Sequence, residues 1–228
     1  MKKVQIKNRI LRNNRGTTLI EMIVCFMMLA IFLTAAFSII THITTLYYQV
    51  KGETYGKQVS DIILTKIESE IRGAKYSSEA TGDKIYINDS ATATSGTNMT
   101  FYDRTNTKVK LYAENGLFKI RYFGFTNVDD ADSRSENIWK FDKKAYNGYE
   151  VKNLRFIKAS ELGKTGNESA TALAQDYGIN VSAGDYGEDV MLVLLELNSH
   201  HYGTYKTYKF VRMYNVEPAS GGGSGSNP

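Results

Sequence analysis

The feature that most constrains the fold of this chain is an apolar run that extends from Leu19 to about Ile43. Only Glu21, a few hydroxyl side chains and His42 interrupt it. A helix of about 20 apolar residues is long enough to cross the hydrocarbon core of a bilayer, so the run predicts a transmembrane helix near the N-terminus. Glu21 is unusual in this position, because ionisable side chains in membrane spans are costly and usually have a function.

The charges on the two sides of the apolar run differ. The residues before it carry six cations and no acid. These cations are Lys2, Lys3, Lys7, Arg9, Arg12 and Arg15. The segment after the run carries mixed charges, beginning with Lys51 and Glu53. Because positive residues near a span stay on the cytoplasmic side, we expect the N-terminus in the cytoplasm and the larger part of the chain outside.

The formal net charge of +4 belongs to this basic N-terminal segment. Without its six cations, the remainder of the chain has a net charge of −2. Nucleic-acid binding usually depends on an excess of positive charge, so no nucleic-acid partner is predicted. The one cysteine, Cys25, lies in the apolar run and is interpreted as a small packing residue.

The sequence Arg15-Gly16-Thr17-Thr18-Leu19-Ile20-Glu21 joins the basic segment to the apolar run. Together with its flanks it resembles the class III signal of type IV pilins and pseudopilins. In that family a prepilin peptidase cuts after the Gly, so the resemblance implies cleavage between Gly16 and Thr17 and N-methylation of Thr17. It also implies a role in filament assembly for Glu21. The chain departs from the family pattern at Thr17, where Phe is usual.

The resemblance implies a filament subunit without enzymatic activity and without a cofactor. The implied partners are the prepilin peptidase, other pilin or pseudopilin subunits, an assembly platform protein and the membrane. The chain also loosely resembles the J-type minor pseudopilin of type II secretion and minor pilins of type IV pili, which initiate or cap filaments. That likeness depends on the large head and on Lys66–Gly73, Tyr149–Phe156 and Val211–Asn215.

Other interpretations of the N-terminus and of the function remain open. A secretory signal peptide has a shorter apolar core followed by a small-residue cleavage site. An ordinary signal anchor accounts for the flank and the span, but not for Gly16 and Glu21 together. In function, the alternatives are a membrane-anchored binding module, such as an adhesin or DNA-capture head, and a membrane-tethered enzyme. Only a pilin is expected to lose its first 16 residues.

The helix is predicted to continue beyond the span, from Thr17 to about Arg72 and to stop near Gly73. Apolar residues recur every four positions in its second half, with Ile62 beside them. These residues are Val59, Ile63, Ile67 and Ile71. The spacing is typical of an amphipathic helix that packs one stripe on a core. Gly52 and Gly56 disfavour helix, so we expect a bend or local melting within Val50–Gly56.

The rest of the chain is predicted to be β-rich, with turns at Asn115-Gly116 and Asn147-Gly148 that suit hairpins. The almost wholly apolar Val190–Leu197 is predicted to be a central strand. The other predicted strands are Lys84–Asn88, Asn98–Tyr102, Lys108–Glu114, Leu117–Phe123, Asn137–Asp142, Tyr149–Lys158 and Thr207–Tyr214, and Ser169–Tyr177 is a predicted short helix.

The fold class is therefore α+β, with a long N-terminal helix packed on a β-rich head. The predicted organisation is a basic leader at 1–16, the transmembrane half of the helix at 17–45, its amphipathic half at 46–73, an extracytoplasmic head at 74–218 and a flexible tail at 219–228.

Motifs for catalysis or metal binding are weak. Gly163-Lys164-Thr165 lacks the earlier Gly of a phosphate-binding loop, since Lys158 occupies that position. The acidic segment 127–132 has oxygen ligands of the kind that bind Ca²⁺, but not EF-hand spacing, and calcium binding there stays open. His200-His201 has no neighbouring cysteine. We predict no catalytic residue and no metal ligand.

Overall fold

In the computed structural model, helix α1 extends from Leu19 to Arg72. Residues 18–77, 85–123, 137–180 and 186–217 are described. The predicted C-terminal end of the helix is confirmed, and its predicted first residue, Thr17, lies outside the described residues. The chain divides into two compact units, residues 1–48 and 49–228. The second unit contains the last part of α1 and the head.

The described part of the head consists of short and long strands with one further α-helix, α2, at Glu168–Asp176. The strands are β1 (Lys75–Ser77), β2 (Tyr86–Ile87), β3 (Ser95–Gly96), β4 (Asn98–Tyr102), β5 (Lys108–Glu114), β6 (Leu117–Phe123), β7 (Asn137–Lys140), β8 (Tyr149–Lys158), β9 (Val190–Ser199), β10 (Gly203–Arg212) and β11 (Asn215–Glu217). Two 3-10 helices lie at Lys143–Tyr146 and Ala159–Glu161. This arrangement confirms the α+β class.

Most predicted strands have the observed bounds or differ from them by a few residues. The strands β4, β5, β6 and β8 coincide with their predictions. The largest difference is at β10, which begins four residues before the predicted Thr207 and ends at Arg212. The hairpin between β5 and β6 turns at Asn115 and Gly116, whose φ values of 53° and 74° are both positive, as a type I′ turn requires.

The strands form two main sheets and one parallel pair. One sheet has the order β10-β9-β8-β3, and the other has the order β2-β4-β5-β6-β7. All pairings within these two sheets are antiparallel. The third pairing joins β1, directly after α1, to β11 in parallel register.

The strand β9 is wholly apolar from Val190 to Leu195, and both faces of this stretch are buried from Met191 onward. Met191, Val193 and Leu195 belong to the main core with α1, whereas Leu192 and Leu194 belong to a second core. That second core includes residues of α2. The alternation between the two cores follows the period of two residues in a strand. The prediction of a central strand is confirmed.

The amphipathic half of α1 supplies one wall of the main core. Val59, Ile63, Ile67 and Ile71 are at most 2% exposed and lie in the same cluster as residues of both main sheets. Ile62 lies outside this stripe and is 48% exposed. The stripe therefore joins the helix to the head, as its spacing predicts.

The predicted local melting around Val50–Gly56 is wrong, since α1 is helical through this segment. Gly52 and Gly56 are buried contact points for the hairpin formed by β9 and β10. A Cβ atom at Gly52 would lie 2.8 Å from the Cβ of Tyr202, and one at Gly56 would lie 2.7 Å from the Cγ of Tyr205. The close approach of these rings offsets the low helix propensity of glycine.

Tyr149 adds a hydrogen bond at the same place. Its hydroxyl donates to the carbonyl oxygen of Gly52 at 2.9 Å. Burial raises the pKa of Tyr149, so the hydroxyl keeps its proton and remains a donor. The second half of the helix is thus held by a hydrogen bond as well as by close packing.

Two ionic networks attach the distal part of α1 to the sheets. The carboxylate of Glu70 accepts from Lys66 at 2.6 Å and from the hydroxyl of Tyr122 at 2.9 Å. Burial and the hydrogen bond to Glu70 raise the pKa of Tyr122. Glu68 pairs with Lys209 of β10, and also with Arg72 at 2.5 Å.

The Gly56→Ala variant is expected to destabilise the head by about 1–3 kcal/mol, the usual cost of extra atoms in a packed core, despite the better helix propensity of alanine. Thermal unfolding followed by circular dichroism measures the change. Gly73→Ala is the matched control, because the nearest atom to a Cβ there, the carbonyl oxygen of Glu70, is 3.4 Å away. If neither variant changes the melting temperature, the packing role of Gly56 is contradicted.

Candidate assembly site at the start of the helix

The first turn of α1 is closed by a reciprocal pair, Thr18 and Glu21. The backbone N–H of Thr18 donates to Oε2 of Glu21 at 3.0 Å, and the backbone N–H of Glu21 donates to Oγ1 of Thr18 at 3.4 Å. The carbonyl oxygen of Thr18 accepts the first helical bond from Met22 at 3.3 Å. This is a capping box, in which a Thr N-cap and a Glu three residues later satisfy each other's backbone donors.

The capping box uses one of the two carboxylate oxygens of Glu21. Oε2 also accepts from the hydroxyl of Thr18 at 3.3 Å. Among the described residues, no hydrogen bond to Oε1 is found. The carboxylate is exposed, so Oε1 is available to a group outside the described chain. Glu21 can therefore cap its own helix and accept a hydrogen bond from another group at the same time.

The helix behind this site has the composition of a membrane span. Between Leu19 and Tyr48 its large apolar side chains are 44–78% exposed. One helix in the described chain is long and apolar enough to cross a membrane, and the mean hydropathy of its most apolar window is 2.7. Cys25 is exposed in this segment. The apolar surface is not covered by any other part of the described chain.

Threonine hydroxyl groups within the span donate hydrogen bonds to backbone carbonyl oxygens of the same helix. Thr41, Thr44 and Thr45 donate to the carbonyl oxygens four residues earlier, at 2.9, 2.8 and 3.0 Å. A polar group without a partner is costly in hydrocarbon, and back-bonding to the helix removes that cost. These interruptions of the apolar run are therefore compatible with a lipid environment.

The other predicted site residues at the N-terminus are not tested by the geometry. Gly16 and Thr17, the predicted cleavage and methylation positions, lie outside the described residues, and so does the leader at 1–16. The acidic segment 127–132 and the tail at 219–228 also lie outside them.

In the phosphate-loop-like motif of the head, two residues are bonded to nearby side chains. The N–H of Gly163 donates to Oγ1 of Thr171 at 2.9 Å, and Lys164 pairs with Glu161 at 2.9 Å. His200 and His201 lie exposed in the turn between β9 and β10. Within the ranges that the structure covers, no group of three or more His, Cys, Asp or Glu side chains is arranged to hold a metal ion.

Thr18 is a residue of the candidate site whose capping role the sequence analysis did not identify. The signal was present, because Thr-x-x-Glu directly before an apolar helical run is the pattern of a capping box. The sequence analysis assigns Glu21 to assembly and does not predict that its carboxylate caps the helix. The structure places it at the first turn, with Thr18 as its intramolecular partner.

Comparison with known families agrees with this site. The model of the prokaryotic N-terminal methylation motif matches residues 11–37, which include the capping box and most of the apolar run. A search of curated proteins gave no match. The motif shows that the chain carries a prepilin-type N-terminal signal, and the long apolar helix that precedes antiparallel sheets fits a pilin-like protein.

Proposed function

We propose that this chain is a minor subunit of a type IV pilus-like or type II secretion-like filament and that it initiates or caps assembly. The observation that carries the proposal is the capped Glu21 at the start of an exposed apolar helix within a methylation motif. Such a helix needs an apolar environment, which the membrane supplies to the precursor and the helices of other subunits supply in a filament. The minor role is supported by the size of the head.

We propose that the precursor crosses the cytoplasmic membrane once, with its basic leader inside and its head outside. The six cations of the leader support this orientation. Glu21 then lies close to the inner surface, where a charge costs less than at the bilayer centre. An assembly platform protein in the same membrane would move the subunit into the filament.

Glu21 is proposed to select the axial register of the subunit. Cleavage after Gly16 creates an α-amino group at Thr17, which is protonated below its pKa of about 8. Oε1 of Glu21, which accepts no hydrogen bond from the described residues, can accept from such an amine, while Oε2 continues to cap the helix. An unpaired carboxylate is strongly disfavoured in an apolar core, so only subunits in the correct register satisfy it.

The proposed function predicts how the precursor is processed. The mature N-terminus is expected at Thr17, carrying one methyl group, because a glycine without a Cβ allows a peptidase to approach the bond that follows Gly16. Intact-mass measurement of the protein extracted from cell membranes tests this. A Gly16→Leu variant serves as the control and should keep its leader. A wild-type chain that retains residues 1–16, or begins after the span, contradicts the proposed function and favours an anchored binding module.

A further inference from the structure

A cluster of charged side chains lies on one face of the sheet that contains β8, β9 and β10. It is the face of the second core, to which Leu194 of β9 belongs. Arg155 of β8 is opposite Leu194 in the pairing of these strands. Glu196, two residues after Leu194, is opposite Lys206 of β10. Opposite residues of an antiparallel pair share a face, and so do alternate residues of one strand, so Arg155, Glu196 and Lys206 lie together.

Tyr177, the residue that follows α2, lies beside the same cluster. The Nζ of Lys206 is 5.3 Å from the centroid of the Tyr177 ring and 2.6 Å from Oδ2 of Asp176. Burial, and then the charges of Glu196 and Asp176, raise the pKa of Tyr177 to about 12. The hydroxyl of Tyr177 therefore keeps its proton at neutral pH and can donate a hydrogen bond.

Two of the three cations in the cluster are paired with an acid. Lys152, at the bulge of β8, donates to Oε1 of Glu196 at 2.8 Å, and Lys206 pairs with Asp176. Glu196 is 8% exposed, so packing holds its carboxylate in place beside Lys152. Arg155 pairs with no acid among the described residues. Three cations and two acids leave the cluster with a net charge of +1.

Two buried polar atoms of the cluster lack a partner. They are Nε of Arg155 and the hydroxyl oxygen of Tyr177, and neither forms a hydrogen bond within the described part of the chain. The backbone acceptors at the end of α2 are already used, since the carbonyl oxygens of Ala174 and Gln175 accept from the N–H groups of residues 177–179. Because a buried donor without an acceptor is costly, and a charged one more so, the cluster is suited to a ligand that accepts.

We propose that Arg155 and Tyr177 bind a carboxylate of another molecule, either a small acid or an acidic protein side chain. A carboxylate can accept two parallel hydrogen bonds from a guanidinium group and a further one from a hydroxyl. Arg155 and Tyr177 are both partly exposed, so the ligand can reach the guanidinium from solvent, and a rotation of the two side chains brings the buried donors to it.

The charge of the cluster favours a carboxylate over a phosphate. One negative charge balances the net charge of +1, whereas the higher charge of inorganic phosphate at neutral pH is repelled more strongly by Glu196 and Asp176. The site lies in the head and does not depend on the proposed filament role.

The test measures thermal unfolding of the full chain in detergent micelles. Trp139 is the only tryptophan, and its fluorescence reports on the head because its ring packs against the main core. A ligand that binds only the folded head raises the melting temperature. We expect a higher melting temperature in sodium acetate than in sodium chloride at equal ionic strength, and a smaller gain in sodium phosphate.

Arg155→Gln removes the charge of the guanidinium and is expected to abolish the difference between acetate and chloride. Arg104→Gln is the matched control and should keep the difference, because Arg104 is exposed in the turn after β4. General effects of salts on stability are the same in both variants and cancel. If acetate and chloride differ as much in Arg155→Gln as in the wild type, the site is overturned. Should Arg155→Gln fail to fold, the same comparison with Tyr177→Phe decides.

A further probe identifies the source of the carboxylate. The α-amide of N-acetylglutamate carries the carboxylate as a protein side chain does, and it is compared with acetate. A larger gain with the glutamate compound supports an acidic side chain of a protein, and an equal gain supports a small acid. A larger gain in phosphate than in acetate overturns the assignment to a carboxylate.

Discussion

Glu21→Ala should leave membrane insertion and cleavage after Gly16 intact but should largely remove the protein from filaments. Loss of a charge from the span favours insertion, by up to about 2.5–3.5 kcal/mol at the bilayer centre and by less near an interface. In the filament, the amine of Thr17 would lose its acceptor. The measurement compares variant and wild-type protein in sheared filament fractions, with membrane levels for normalisation.

Glu21→Gln is the informative control for this prediction. Glutamine at the same position can still accept from the N–H of Thr18, so it preserves the capping box and removes only the charge. If register selection depends on charge, the Gln variant fails to assemble in the same way as the Ala variant. If the Gln variant assembles normally and the Ala variant does not, assembly requires the helix cap and not the charge of Glu21. If both variants assemble normally, Glu21 has no role in assembly.

Ile67→Asp is expected to unfold the head. Ile67 is fully buried in the stripe of α1, and an unpaired charge in a core costs on the order of 4 kcal/mol, a large share of the 5–15 kcal/mol that stabilises an ordinary domain. A fragment of residues 49–217 is expected to fold as a soluble monomer, and its Asp variant should show no cooperative melt by circular dichroism.

The neighbouring Ile62→Asp variant is the matched control. Ile62 belongs to the same helix but is 48% exposed, so the substitution should change the free energy of unfolding by only about 0.5 kcal/mol. A cooperative melt of Ile67→Asp close to that of Ile62→Asp would show that the stripe does not stabilise the head. The stripe would then be better explained as a contact between subunits.

Local patterns were sufficient to predict the elements that depend on local chemistry. The four-residue spacing from Val59 to Ile71 predicts the buried face of α1, and the positive φ values that glycine and asparagine tolerate predict the turn at Asn115-Gly116. The continuous apolar run of β9 predicts a strand covered on both faces. In each of these three elements, residues close together in the sequence determine the local structure.

The errors concern contacts between residues that are far apart in the chain. Gly52 and Gly56 have the local character of helix breakers, and the rings of Tyr202 and Tyr205 that make them packing residues come from the distant β10 hairpin. The parallel pairing of β1 with β11 has no local signal either. At the candidate assembly site, the motif draws attention to Glu21, whereas its cap with Thr18 depends on the first helical turn.

The pairing of β1 with β11 has a consequence for the order in which the head folds. This pairing and the ion pair between Glu68 and Lys209, which are 141 residues apart, join the end of α1 to the last described strands, β10 and β11. The apolar stripe of α1 is therefore synthesised and exported long before its partners β9 and β10. Contacts of such long range slow folding and prolong the exposure of apolar surface. We expect the newly exported head to stay open to proteases and chaperones until its C-terminal strands emerge.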